Sequence, residues 1–129
     1  MDWRATAAKD LADHCYSEPG LTLARLSRQI GLSSGYLGIL FHRQSGQTFH
    51  AYLLAIRMLK ARELLNDPTL ALSEVAFRVG YNDTSNFCRA FRKKFGVTAR
   101  TYSMMLQDIL LTSKSEDSVP RAKKLPLRP

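Results

Sequence analysis

The feature that most restricts this chain is an internal repeat. Leu23, Leu26, Ile30 and Gly31 return as Leu72, Val75, Val79 and Gly80, 49 residues later. Leu37, Phe41, Gly46, Thr48 and Tyr52 return as Phe87, Phe91, Gly96, Thr98 and Tyr102, 50 residues later, the extra residue falling in the second turn. Each copy spells a short helix, a glycine-bearing turn and a longer helix. Ser27 and Ala76, four residues before each turn glycine, are small where two crossing helices must come close. A single two-helix corner is common. Two in register in one chain predict two like units, each a helix-turn-helix whose first helix braces the second.

The second copy carries the clearer chemistry. Between Gly80 and Gly96, Phe87, Phe91 and Phe95 fall on one helical stripe, while Asn86, Arg89 and Lys93 fall on the other side. Asp83 is placed as the N-cap, where its carboxylate can accept the first turn's unpaired amide hydrogens, and Gly96 supplies the stop. An aromatic root with an outward face of Asn and Arg suits the DNA major groove. Arg can pair with both acceptors of guanine, and Asn with both groups on the edge of adenine. Taken alone, the same stretch also fits an ordinary amphipathic surface helix.

The remaining elements are helical too. A first helix runs from Trp3 to Tyr16 on Trp3, Ala7, Ala8, Leu11, Ala12 and Cys15, and Pro19-Gly20 breaks it. Thr22 is expected to cap a helix with Leu23, Leu26 and Ile30 inward. Ser33 or Ser34 should cap the next, with Leu37, Leu40 and Phe41 inward and Gly46 at its end. Thr48 caps the longest pattern, Phe49 to Leu65, with Tyr52, Leu53, Ile56, Leu59 and Leu64 as its apolar positions, and Asn66-Asp67-Pro68 ends it. At about 18 residues this strut is roughly 27 Å long, compatible with heads about 34 Å apart on successive major-groove segments. Ser73 is expected to cap Glu74 to Val79, and Thr98 a last helix through about Leu110. Residues 112–129, polar and with three prolines, read as a disordered tail. The predicted class is all-α. Homeodomain-like three-helix units form a DNA-binding domain over 1–111, with helix-turn-helix segments at about 23–46 and 73–96 and the linker helix at about 48–65.

Composition narrows the partner. The 129 residues hold 19 Lys and Arg against 11 acids, a net charge of +8, which favours a polyanion. Arg57 and Lys60 interrupt the longest apolar run well short of the roughly 18 residues of a membrane span. Asp2 and Asp10 do not suit a secretory signal. Two cysteines, Cys15 and Cys88, without Cys-x-x-Cys spacing suggest a reducing compartment, so a soluble cytoplasmic protein is expected.

The second unit, Val79-Gly80-Tyr81-x-Asp83-x-Ser85-x-Phe87-x-Arg89-x-Phe91-Arg92-Lys93-x-x-Gly96, resembles the signature of the DNA-binding domain of AraC/XylS-type bacterial transcription regulators. The resemblance covers about Leu11 to Leu106. It includes Tyr36-Leu37 with Leu40-Phe41, Gly46 with Phe49 and Tyr52-Leu53, and Arg57 with Ala61 and Leu64-Leu65. It implies two helix-turn-helix subdomains joined by a linker helix, binding double-stranded promoter DNA and contacting RNA polymerase. The chain departs from the family at Ala99, usually Pro, at Ser103, usually Arg, and at Gly38-Ile39, often Ser-Arg.

By the internal register, Ser85, Asn86, Arg89, Arg92 and Lys93 correspond to Gly35, Tyr36, Ile39, His42 and Arg43. Unequal heads follow. The second should read bases through Arg89, Asn86 and Ser85, while the first reads thymine methyls or shape through Tyr36 and Ile39 beside Gly35 and Gly38. Arg43, Arg92, Lys93 and His42 are assigned to phosphate. Arg89 could instead serve a phosphate or a surface ion pair, and Arg57 a structural ion pair or a DNA contact. Phe87, Phe91, Leu37, Leu40 and Phe41 are expected in the core. His14, Cys15, His42 and His50 lack metal-ligand spacing, and Cys88 is a packing residue or a thiol sensor. No catalytic constellation, metal site or cofactor is expected, so the chain is not read as an enzyme. The preferred reading is a monomer-competent, sequence-specific DNA-binding transcription regulator, any oligomer being supplied by a domain outside the chain. The alternatives are a non-specific architectural DNA binder and a helical protein-interaction module whose partner engages the Phe49–Leu65 helix.

Overall fold

A computed structural model describes residues 2–115. Seven helices are found among them: α1 (Trp3–Cys15), α2 (Leu23–Ile30), α3 (Ser34–Ser45), α4 (Phe49–Leu64), α5 (Leu72–Arg78), α6 (Thr84–Phe95) and α7 (Ala99–Ser115). None of these is long and apolar enough to cross a membrane. The repeat is written into the backbone hydrogen bonds. Leu32 N donates to Ser27 O at 3.1 Å and Tyr81 N to Ala76 O at 2.9 Å. Gly46 N donates to His42 O, and Gly96 N to Arg92 O, both at 2.8 Å. Thr48 Oγ1 caps Ala51 N, and Thr98 Oγ1 caps Thr101 N, both at 3.0 Å. Gly31, Gly46 and Gly96 close α2, α3 and α6 in the left-handed region, where a side chain would be strained.

Other boundaries differ from the sequence expectation. Ser33 and Asp83 cap α3 and α6 through Tyr36 N and Ser85 N, but Thr22 makes no side-chain capping bond. α5 begins one residue before Ser73, with Ala71 at the cap position, so Ser73 lies inside the helix rather than at its start. α7 continues past Leu110 to Ser115, because 112–115 follow a helix already propagating. The rest of the expected tail, 116–129, lies outside the described residues.

Two cores form, and α4 serves both. Ala8, Ala12, Leu21, Leu26, Leu37, Phe41, Phe49 and Leu53 make the first. Met58, Ala61, Leu65, Val75, Ala76, Val79, Phe87, Phe91 and Ala99 make the second. At about 100° per residue, the Phe49–Leu53 edge of α4 lies roughly 130° around the helix from the Met58–Ala61–Leu65 edge. This two-faced use corrects one expectation. Leu59, placed among the apolar positions, is exposed, and Met58 is buried in its stead. Most other apolar residues of the Phe49–Leu65 helix lie in or against the two cores. Trp3 is also exposed, the inner face of α1 being Ala5, Ala8 and Ala12. Ser27 and Ala76 are buried at their crossings, and Leu37, Leu40, Phe41, Phe87 and Phe91 are core, as expected. Arg57, midway along α4, donates to the backbone carbonyls of Tyr16 and Glu18 rather than to the carboxylate of a structural ion pair.

Candidate nucleic-acid interface

α6 stands on Phe87 and Phe91, both fully buried, and the ring of Phe91 also meets Phe95 and Tyr102. Rooting one stripe in rings leaves the opposite side in solvent. Ser85, Asn86, Arg89, Arg92 and Lys93 are all exposed there. Arg89 Nη2 donates to Asn86 Oδ1, so the two side chains expected to read bases lie together as one polar group one turn apart. Apart from its cap Asp83, the helix has no acid. Arg92, Lys93 and Lys94 crowd its last turn, where the helix dipole favours cations.

α3 uses the same frame differently. Leu37, Leu40 and Phe41 are its root, and Phe41 packs edge-on against Phe49 and Tyr52. Outward it presents Gly35, Tyr36, Ile39, His42 and Arg43. Tyr36 and Ile39 are 45% and 55% exposed, an apolar pair at the centre of the face rather than a fork donor. Arg4 of α1 lies over the Tyr36 ring at 5.7 Å and is itself held by Asp2, whose backbone N–H donates to Gln44 Oε1 at 2.9 Å. Gly38 is half-buried, with a Cβ at that position coming within 3.7 Å of Leu23, and it lines the groove beside α4 together with Gly35 and Ile39.

Two grooves flank α4 between the faces. One groove of about 540 Å³ lies between α4 and α6, with His50, Arg57, Lys93 and Lys94 on its walls. A second, of about 470 Å³, lies between α3 and α4, with Gly35, Ile39, His42 and His50. Both contain His50 and Leu53, so His50 sits on the saddle between the heads. Sequence periodicity missed His50 and Lys94. Lys94 was legible as a third cation in the last turn of α6. His50 acquires its place only when the two units fold onto opposite faces of α4. Cys88, beside Arg89, is half-buried against the second core.

A family model described as a helix-turn-helix domain, the AraC-type one, matches residues 26–105. The chain belongs to this AraC-type helix-turn-helix family. A curated relative, the uncharacterized HTH-type transcriptional regulator YpdC of Escherichia coli K12, is 36% identical over 92 residues, covering 71% of this chain and 32% of the relative. Among solved structures, the C-terminal domain of AraT, a response regulator from Geobacillus stearothermophilus, superposes with a TM-score of 0.78 at 31% identity, covering 81% of this chain and 87% of that one. The DNA-binding domain of AdpA, solved in complex with a target DNA, has the same fold, with a TM-score of 0.73 at 21% identity over 84% of this chain and 96% of that one. The chain spans about a third of the length of the first curated relatives it matches. As an AraC-type member it is an all-α DNA-binding module of the transcription-regulator class, whose relatives are bacterial regulators rather than enzymes.

Proposed function

We propose that this chain reads an asymmetric promoter site as a monomer, with α6 and α3 in successive major-groove segments of one duplex. The observation that carries this reading is the pairing of two rooted helices that expose the same register positions to solvent. In α6, Arg89 and Asn86 are the base readers, supported by Ser85 near the helix start. In α3, Tyr36 and Ile39 select thymine methyls or local shape beside Gly35. Arg43, Arg92, Lys93 and His42 hold phosphates, joined by Lys94 and by His50 on the saddle, where the backbone between the two segments passes. The chain acts without a cofactor and carries no catalytic chemistry of its own; it works in the cytoplasm, and contact with RNA polymerase completes its regulatory role.

Selection of bound duplexes from a random pool tests the reading. Two patches about one helical turn apart are expected, with the stronger preference under α6. Removal of Arg43, Arg92 or Lys93 should lower the salt slope by about one each while leaving the selected sequence intact. Steep salt dependence with no enriched sequence would instead make this an architectural binder.

A further inference from the structure

The two units are latched together, and one side chain forms most of the latch. Arg57 Nε donates to Tyr16 O at 2.8 Å, and Arg57 Nη2 donates to Glu18 O at 2.8 Å. Tyr16 is the C-cap of α1, where a helix leaves carbonyls unpaired and the dipole favours a cation, and Glu18 lies in the turn just beyond it, its carbonyl also accepting Leu21 N at 3.2 Å. The other side of the guanidinium faces the second unit, 5.7 Å from the centre of the Tyr81 ring. Burial pulls its pKa below the ordinary arginine value, against an opposing effect of Tyr81. Among the described residues no carboxylate pairs with it. Two carbonyls and a ring face satisfy it, an arrangement that needs the planar fork of Arg and that the single ammonium of Lys cannot reproduce.

The repeat supplies an internal control. The 49-residue register that pairs Gly31 with Gly80 also pairs Ala12 with Ala61, both wholly buried, and Ala8 with Arg57. The first unit therefore has a buried methyl where the second has the latch. The turn glycines differ in the same sense. A Cβ on Gly31 would meet nothing within 4 Å, whereas one on Gly80 would lie 2.6 Å from Tyr16 O and 2.9 Å from Arg57 Nε. Gly80 is thus required for a second reason besides its φ of 99°: the backbone of the first unit passes directly against it. Tyr16 completes the junction, packing against both cores with Lys60 5.9 Å from its ring centre.

We infer that Arg57 is a spacing-determining residue: by tying the α1 exit to the Gly80–Tyr81 turn, it holds both recognition helices at one separation and angle and so restricts the chain to one distance between DNA patches. The inference rests on the two-headed reading proposed above. One inserted base pair moves the far patch by about 3.4 Å and rotates it by about 34–36°. A latched protein cannot follow that displacement. One held only by the middle of α4 can pivot toward it.

The test has two arms on the full chain. Residual dipolar couplings measured without DNA report whether the two units share one alignment tensor. Affinities for the selected duplex, and for the same duplex with one base pair inserted or removed between patches, report the spacing penalty. Wild type should show a single tensor and lose more than about tenfold in affinity per inserted base pair. Arg57→Lys keeps the charge but not the fork. It should give two distinct tensors and at least about a threefold smaller spacing penalty, with native amide-exchange protection in both cores. Gly80→Ala, which keeps the Arg57 side chain but drives a Cβ against both Tyr16 O and Arg57 Nε, should do the same. Two tensors in the wild type would overturn the latch outright. So would an Arg57→Lys protein that keeps one tensor and loses affinity equally at every spacing. A random pool yielding no enriched sequence would remove the two-headed reading, and the dipolar couplings would still decide the latch.

Discussion

Position by position, α3 and α6 set Gly35 against Ser85, Tyr36 against Asn86, Ile39 against Arg89, and His42 and Arg43 against Arg92 and Lys93. Beneath these pairs Leu37 and Phe41 answer Phe87 and Phe91, all buried. The inward residues keep their character between units because the crossing of two helices sets volume and shape. The outward ones share only exposure. The polar ties differ as well. The first unit binds α1 to its neighbours through Tyr52 Oη donating to Asp13 at 2.7 Å and Asp2 N donating to Gln44 at 2.9 Å. The second relies on rings, with Phe91 meeting Phe87, Phe95 and Tyr102 in turn. One scaffold thus carries an apolar face held by polar struts and a cationic face held by an aromatic stack.

The largest way to break this comparison is to remove a root. Phe41→Ala and Phe91→Ala should each cost about 3–5 kcal/mol, as truncation of buried rings does. Because α4 contributes Phe49 and Leu53 to one core and Met58, Ala61 and Leu65 to the other, damage to either core should lower both units in one cooperative transition. Urea titration followed by amide signals from each core checks this, and two separate midpoints would show the units to be independent folding domains. Next in size is the difference between the heads. Arg89→Ala should lose about 1–3 kcal/mol on the selected duplex and little on random DNA. Ile39→Ala should lose about 1 kcal/mol or less, confined to changes under α3. Equal losses on specific and random DNA would make Arg89 a phosphate contact.

Much of this was legible in the sequence because the repeat and the helical period are local. The seven helices, the caps at Ser33, Thr48, Asp83 and Thr98, and the inward Phe87 and Phe91 follow from spacing alone. What was not legible is tertiary. The exposure of Leu59 and burial of Met58 depend on α4 serving two cores on different edges, and a search for one apolar stripe cannot see two. The place of His50 on the saddle depends on both units meeting the same helix. Arg57 could not be assigned because its partners, Tyr16 O and Glu18 O, are backbone atoms some 40 residues away that carry no sequence signal.

Smaller effects sharpen the comparison at the helix starts. Ser33 Oγ accepts Tyr36 N at 3.1 Å, and Asp83 Oδ1 accepts Ser85 N at 2.8 Å. Ser33→Ala and Asp83→Ala should each cost about 1 kcal/mol in chemical denaturation. Thr22, which makes no such bond at the start of α2, should change stability negligibly on replacement by Ala. A loss at Thr22 equal to that at Ser33 would mean that cap identity alone, without the observed bond, governs these starts.

The last difference is in response to acid. In the first unit, Asp13 is pushed up by burial but pulled further down by hydrogen bonds from Tyr52 and Lys9, leaving its carboxyl below the usual carboxylate range. Hydrogen bonds from Arg4 and Arg25 likewise hold Asp2 and Glu18 below that range. The register position of Asp13 in the second unit is Arg62, whose guanidinium lies 5.0 Å from the Phe95 ring centre, so no carboxylate stands there. A carboxylate with a depressed folded-state pKa contributes stability above its unfolded pKa and loses it as pH falls through the folded value. The second unit has one such carboxylate, Asp67, held down by hydrogen bonds from Thr69, against Asp2, Asp13 and Glu18 in the first, so the first unit should loosen before the second below about pH 4. Amide exchange from pH 3 to 6, read separately for the two cores, is the measurement. Asp13→Asn, which removes the titrating charge but keeps an oxygen that can accept from Tyr52 Oη, should flatten part of that pH dependence in the first core and leave the second unchanged. Loosening of both cores together would place the acid response in α4 and not in the struts of the first unit.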